Sequence, residues 1–178
     1  MSTMTTTIDD LFEGRAGAIP RDLKLNLKRV IDGGILDRTD ALFAMTALAS
    51  ALRQTDLLRY AESTLKELGA SEAEIEEARE SAAIMGMLNT YYKFKHLSEH
   101  GDDYRSPGLR MTVFSNPVLG KTRFEKLAFA VSVLNGCESC VRSHERVLRS
   151  AGILPDAIHE LAKLAARVGR SRRRFDEY

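Results

Sequence analysis

The chain has 178 residues, 44% apolar and 29% charged, which suffices for a core of ordinary size in one compact domain or two closely joined halves. With 26 basic and 25 acidic residues, its formal charge of +1 supplies no broad field for nucleic acid or an acidic membrane surface, and neither is an expected partner. No run reaches the ~18 apolar residues of a membrane span, and the opening "MSTMTTTIDDLFEG" has neither a basic start nor an apolar signal core, so the expected location is the cytoplasm.

Apolar residues recur at helical spacing nearly throughout, and no β-branched run alternates with period two between turn signals, so the expected fold class is all-α. After an N-terminal extension (1–19), a first helical half spans 20–98. Pro20 suits a first helical turn, and Leu23, Leu25, Leu27 and Val30 follow before "DGG" interrupts the pattern. The spacing then predicts helices over 39–54, 56–68 and 71–98, with Gly69 as a left-handed C-terminal cap and Ser71 with Glu74 as a capping box. Residues 99–122, rich in glycine and proline, form a connector that is part loop and part short helix. A second half (123–170) carries helices over 123–134, 138–151 and 155–168, with Gly152 as another cap. The basic tail 171–178 is either a solvated end or a docking patch for an acidic partner.

A shift of 83 residues lays "ALRQTDLLRYAESTLKELGASEAEI" over "LNGCESCVRSHERVLRSAGILPDAI", matching Leu65 with Leu148, Gly69 with Gly152, Ile75 with Ile158 and Gly86 with Gly169. Cys137, Cys140 and His144 then fall on Gln54, Leu57 and Ala61. The halves are expected to share a helical scaffold on which only the second bears chemistry.

Both cysteines of the chain stand in "LNGCESCVRSHERVL". Asn135-Gly136 breaks the preceding apolar pattern, so a helix opens at or just after Cys137, and the spacing puts Cys137, Cys140 and His144 on one face. Unpaired N–H groups at a helix start favour a thiolate. Lowering a thiol from pKa about 8.5 to about 6 raises the ionised fraction at pH 7 roughly thirtyfold. In a redox reading, His144 takes the proton of Cys140 and returns it to a leaving group, and Cys137 is the resolving thiol that closes an internal disulfide. Zinc would need a fourth protein ligand or a water, and His96, His100 and His159 lack metal spacing, so no metal is expected. Two buried core thiols with a hydrogen-bonded histidine remain the bland alternative. A thioredoxin-type site would need the strands of a βαβ unit, which the pattern lacks.

Together with "KLNLKRV", "AAIMGMLNTYY", "SPGLRMTVFSNP", "FEKLAFAVSVLNGC" and "SHERVLRSAG", in that order, the motif resembles the alkyl hydroperoxide reductase D family, within the carboxymuconolactone-decarboxylase-like helical fold. The resemblance implies a lipoyl-dependent peroxidase and disulfide reductase. It would take electrons from dihydrolipoamide on a dehydrogenase component and pass them to an alkyl hydroperoxide reductase C-type peroxiredoxin or directly to an organic hydroperoxide. It further implies a homotrimer, no tightly bound cofactor, and roles by position: Cys140 as nucleophile, Cys137 as resolving thiol and proton donor, His144 as base, and Glu125 as an acidic relay to that base. One departure is Ser139, where the family usually has a histidine between the cysteines; serine hydrogen-bonds but does not titrate near neutral pH. Two other classes stay open: a carboxymuconolactone-decarboxylase-like lyase without thiol chemistry, and a non-enzymatic thiol redox sensor.

Overall fold

The structure, a computed structural model, describes residues 7–175. Seven α-helices lie among them and no strand: α1 (Ala18–Asp32), α2 (Arg38–Leu52), α3 (Thr55–Glu67), α4 (Glu72–Leu97), α5 (Lys121–Asn135), α6 (Glu138–Ser150) and α7 (Pro155–Phe175). The all-α expectation holds. None of these helices is long and apolar enough to cross a membrane.

Helix α2 reads "RTDALFAMTALASAL", apolar all round, and a helix of that kind has to be surrounded. Every residue from Ala41 to Ala49 is buried, and α1, α3, α4, α5 and α7 pack around it. Helix α5 is its counterpart: α6, α7, α4 and α2 pack on it, and Phe124, Leu127, Ala128, Ala130 and Val131 are almost wholly enclosed. These two helices form the centre of the core, while α3 and α6 lie outside with amphipathic faces.

The internal repeat is visible in the backbone. Helices α2, α3 and α4 begin 83 residues before α5, α6 and α7, and α2 and α3 end 83 residues before α5 and α6. The turns repeat as well. Gln54 N–H donates to Ala49 O (2.9 Å) and Cys137 N–H to Ser132 O (3.1 Å), while Ala70 donates to Leu65 O and Ile153 to Leu148 O (3.0 Å each). Gly69 and Gly152 have φ of 85° and 80°, the left-handed caps expected of them.

The halves meet through charges at equivalent positions. Asp40 accepts from Arg123 Nε (2.7 Å), its own counterpart 83 residues on, and such a contact requires the pair to lie near the axis relating the halves. Reciprocity follows: Asp40 also binds Lys126, and Arg123 lies over the Phe43 ring at 5.0 Å, the same pairing of positions read from the other half.

Most helix boundaries differ from the sequence expectation, three of them for identifiable reasons. Helix α1 starts at Ala18, because Pro20 sits within its first turn, where no intrahelical N–H is needed. Helix α5 begins at Lys121, after Gly120 with φ of 77°. Helix α7 runs through Gly169 to Phe175. A Cβ at Gly169 would meet Leu134 Cδ1 at 2.9 Å, so this glycine admits a close approach of α7 to α5 and does not end the helix. The basic tail is therefore helical in backbone as far as Phe175; its side chains and residues 176–178 lie outside the described residues. Within the N-terminal extension, Ile8, Leu11 and Phe12 join the core. The capping box forms: Ser71 N–H donates to Glu74 Oε2 (2.9 Å) and Glu74 N–H to Ser71 Oγ (3.3 Å). The connector is pinned by Glu77, whose carboxylate accepts from Val118 N–H (2.9 Å) and Leu119 N–H (2.7 Å).

Burial alone would push the Asp40 carboxyl up, but hydrogen bonds from Lys126 and Arg123 outweigh it and hold the group below the usual carboxylate range. A carboxyl depressed by folding contributes stability above its unfolded value of about 4, and that contribution is lost as pH falls through the folded value. Asp40→Asn should cost about 2–3 kcal/mol at pH 7. Urea unfolding at pH 7 and pH 3 checks this: the difference between variant and parent should shrink at the lower pH.

Candidate active site

The reversal between α5 and α6 sets the site. Gly136 takes φ 65° and ψ 39°, a left-handed conformation natural to glycine, and Cys137 follows as the N-cap of α6 with Cys140 in the first turn. The two sulfurs are joined, with Cα atoms 5.3 Å apart. The same reversal lays the second turn of α5 beside the middle of α6. There His144 Nδ1–H donates to Glu125 Oε2 at 2.7 Å, both side chains being less than one-fifth exposed. With Nδ1 so engaged, Nε2 is left as the basic nitrogen. The four residues named from the sequence thus share one corner of the fold.

The two cysteines differ in access. Cys137 is fully buried, whereas Cys140 borders a cavity of about 540 Å³. His144 and Ser139 line the same cavity, whose apolar walls are Met85, Leu88 and Tyr92 from α4 and Met111 and Phe114 from the connector. Phe114 lies nearly parallel to the His144 ring (interplanar 15°, centroids 6.3 Å) and packs edge-on against Phe124 at 5.1 Å. A sulfur and an imidazole, with Ser139 and Ser143 beside them, in a recess walled mainly by apolar side chains suit a molecule with an apolar body and one reactive end.

Ser139, at the position where a histidine was expected, has its Oγ 3.7 Å from Cys137 Sγ. The neighbouring Glu138 carboxylate is committed elsewhere, to Arg142 Nη2 (2.7 Å) and His96 Nε2 (3.5 Å), with all three groups more than half exposed. Such pairs contribute little energy, though they draw the negative charge toward solvent. His96 thus stands nearer the motif than spacing suggested, in a second cavity of about 450 Å³ that shares Tyr92 and Ser139 with the first. His100 and His159 are exposed residues that take no part in the cavity around Cys140.

Sequence reasoning missed the connector's part in the site and the polar contacts behind the turn. Asn89 of α4, 1% exposed, donates through Nδ2 to Ser132 Oγ (3.0 Å) and accepts at Oδ1 from Asn135 Nδ2 (2.9 Å). Lys93 Nζ donates to Asn135 O (3.2 Å). The buried asparagine within "GMLNTYY" is the one signal that could have found this network.

The difference in access predicts chemical behaviour. After reduction, Cys140 should react with iodoacetamide at least about tenfold faster than Cys137, since only a thiolate that solvent reaches is alkylated readily. Peptide mass spectrometry at short reaction times reads the ratio directly; equal rates would contradict the assignment of Cys140 as the accessible sulfur.

The sequence profile of the Carboxymuconolactone decarboxylase family matches residues 107–173, which hold the second half of the connector, α5, α6 and most of α7. Whole-chain relatives extend the match. Alkyl hydroperoxide reductase AhpD of Streptomyces coelicolor is 42% identical over 147 residues, covering 82% of each chain. The protein of the same name from Anaeromyxobacter dehalogenans is 40% identical over 147 residues, covering 82% of this chain and 78% of the relative. That from Mycobacteroides abscessus is 37% identical over 146 residues, covering 82% and 83%. Likeness at this level over four-fifths of the sequence, on a helical scaffold with the cysteine pair opening α6, means that the chain belongs to the alkyl hydroperoxide reductase AhpD family.

Proposed function

We propose that the protein is an antioxidant dithiol enzyme that reduces organic hydroperoxides, regenerates a peroxiredoxin of the alkyl hydroperoxide reductase C type, or does both, with dihydrolipoamide as electron donor. The observation that carries this reading is the joined Cys137–Cys140 pair whose outer sulfur shares a cavity with a histidine held by a half-buried glutamate. The names of the relatives support the hydroperoxide as substrate.

In the dithiol form, His144 takes the Cys140 proton, and Glu125 holds the ring and stabilises the imidazolium that results. The Cys140 thiolate attacks the terminal oxygen of ROOH, the O–O bond breaks, and a proton returned to the leaving oxygen gives ROH and a Cys140 sulfenic acid. Cys137 then attacks that sulfur and expels water, leaving the disulfide. Dihydrolipoamide restores the pair by two thiol–disulfide exchanges: one thiolate attacks Cys140, because Cys137 is enclosed, and frees the Cys137 thiol; the second attacks the lipoyl sulfur of that mixed disulfide, releasing the Cys140 thiolate and closing oxidised lipoamide. When the acceptor is a peroxiredoxin, the Cys140 thiolate attacks its disulfide and Cys137 releases the partner.

Ser139 hydrogen-bonds near Cys137 but cannot carry a proton as the family histidine would, so His144 alone is assigned the base role. A dithiol recharged by a lipoyl-bearing dehydrogenase component belongs in the reducing cytoplasm. Trimeric assembly also carries over from the family as part of the proposal; Met87, Phe94 and Leu97 on α4, exposed by 37%, 46% and 77%, offer apolar surface for it. Light scattering should then give three times the mass of one chain, and a monomer would remove that part.

The deciding experiment couples dihydrolipoamide oxidation to reduction of cumene hydroperoxide, with and without a peroxiredoxin. Cys140→Ser should abolish turnover, Cys137→Ser should accumulate a mixed disulfide with the peroxiredoxin, and His144→Phe should slow the reaction about 10²-fold or more and move its optimum to higher pH. Full activity in Cys140→Ser would remove the thiol mechanism. Absence of turnover in the reduced parent protein would leave a lyase or a thiol sensor to be tested in its place.

A further inference from the structure

The chain makes the turn before its cysteine motif twice, and different side chains hold the two copies. At the end of α2, Arg53 takes φ 57° and ψ 35° and Gln54 N–H donates to Ala49 O; at the end of α5, Gly136 takes φ 65° and ψ 39° and Cys137 N–H donates to Ser132 O. The backbone geometry is the same. The side chains behind it are not: Ala49 and Leu52 stand in the first half where Ser132 and Asn135 stand in the second. In the second half, buried Asn89 bridges both of those residues from α4, and Lys93 holds the Asn135 carbonyl. In the first half Ser50 Oγ instead donates to Arg79 O of α4 (2.9 Å) and Gln54 Nε2 to Val168 O of α7 (3.3 Å). The backbone turn is thus common to both halves, and the Asn89 contacts belong to the one that delivers a thiol.

We propose that Asn89, acting through Ser132 and Asn135, is a positioning residue for Cys137, holding the turn so that the enclosed sulfur stays within reach of Cys140 when their disulfide opens. The proposal rests on the dithiol chemistry described above and deepens it. The step it governs is closure: attack by the Cys137 thiolate on a Cys140 sulfenic acid releases water, and attack on a Cys140 mixed disulfide releases the partner's thiolate; each forms the internal S–S bond. A turn fixed in the open form has less freedom to lose on closing, so the clamp shifts the equilibrium toward the disulfide. Without it, the same atoms close from a wider ensemble.

The first half supplies the test variant. Asn89→Leu/Ser132→Ala/Asn135→Leu removes the clamp and places at the last two positions the residue types found at the equivalent Ala49 and Leu52. Full-length protein is equilibrated in dithiothreitol redox buffers, and the dithiol fraction is counted by alkylation and mass spectrometry. The disulfide-forming equilibrium constant should fall about tenfold, a rise of roughly 30 mV in midpoint potential. Ser81→Ala is the control, since it removes another buried hydroxyl of α4, one that donates to Ala78 O within its own helix. It should change thermal stability without moving the equilibrium. A folded triple variant within twofold of the parent overturns the proposal. Should the triple variant fail to fold, Ser132→Ala carries the test, with a shift of at least about threefold expected and no shift overturning it. Turnover of cumene hydroperoxide is measured separately on the parent protein. A shifted equilibrium without turnover supports the clamp and removes the peroxidase reading, whereas turnover with an unmoved equilibrium does the reverse.

Discussion

A chain reversal at one left-handed glycine is what the site depends on. Because Gly136 turns α5 back onto α6, a carboxylate in the second turn of one helix reaches a histidine in the second turn of the next, at 2.7 Å. Along a single straight helix the same residues would be tens of ångströms apart. The reversal also determines which cysteine is enclosed: the residue after the glycine becomes the N-cap beneath the turn, and the one three places on emerges beside the cavity. Access, acid–base pairing and the internal disulfide all follow from one backbone conformation.

Repetition of the scaffold shows what that conformation requires and what it does not. The first half turns at Arg53 with almost the same angles, so the reversal is a property of the fold rather than of the dithiol. At the equivalent sites it carries Leu42, Gln54, Leu57 and Ala61 in place of Glu125, Cys137, Cys140 and His144. Leu42 and Ala61 are fully enclosed there, and Leu57 nearly so. One copy thus supplies hydrophobic stabilisation, and the other can hold a buried carboxylate, an imidazole and two sulfurs on the same frame. The Asp40–Arg123–Lys126 cluster joins the copies near the axis between them, away from the chemistry.

Much of this could be read from the chain. Helical spacing and the caps at Gly69, Ser71 and Gly152 located the elements, and the cysteine spacing with Asn135-Gly136 placed the motif at a helix start. Glu125 came from likeness to a family and not from periodicity, which cannot see across a turn. Contacts between distant segments stayed hidden for the same reason: Asn89 meets Ser132 across 43 residues and Asp40 meets Arg123 across 83. Met111 and Phe114 lie in a segment with no helical period to read, yet they wall the cavity. Gly169 misled because a glycine that admits a neighbouring helix looks, in one dimension, like one that ends its own.

What unites these features is the claim that the two thiols act as one two-electron unit with Cys140 as its open end. Adding one equivalent of cumene hydroperoxide to the fully reduced protein tests that claim most directly, with free thiols and intact mass followed together. The account predicts loss of both thiols, a mass lower by that of two hydrogens, a peptide linking Cys137 to Cys140, and one equivalent of alcohol released. Hydroperoxide left unconsumed with both thiols intact would contradict it.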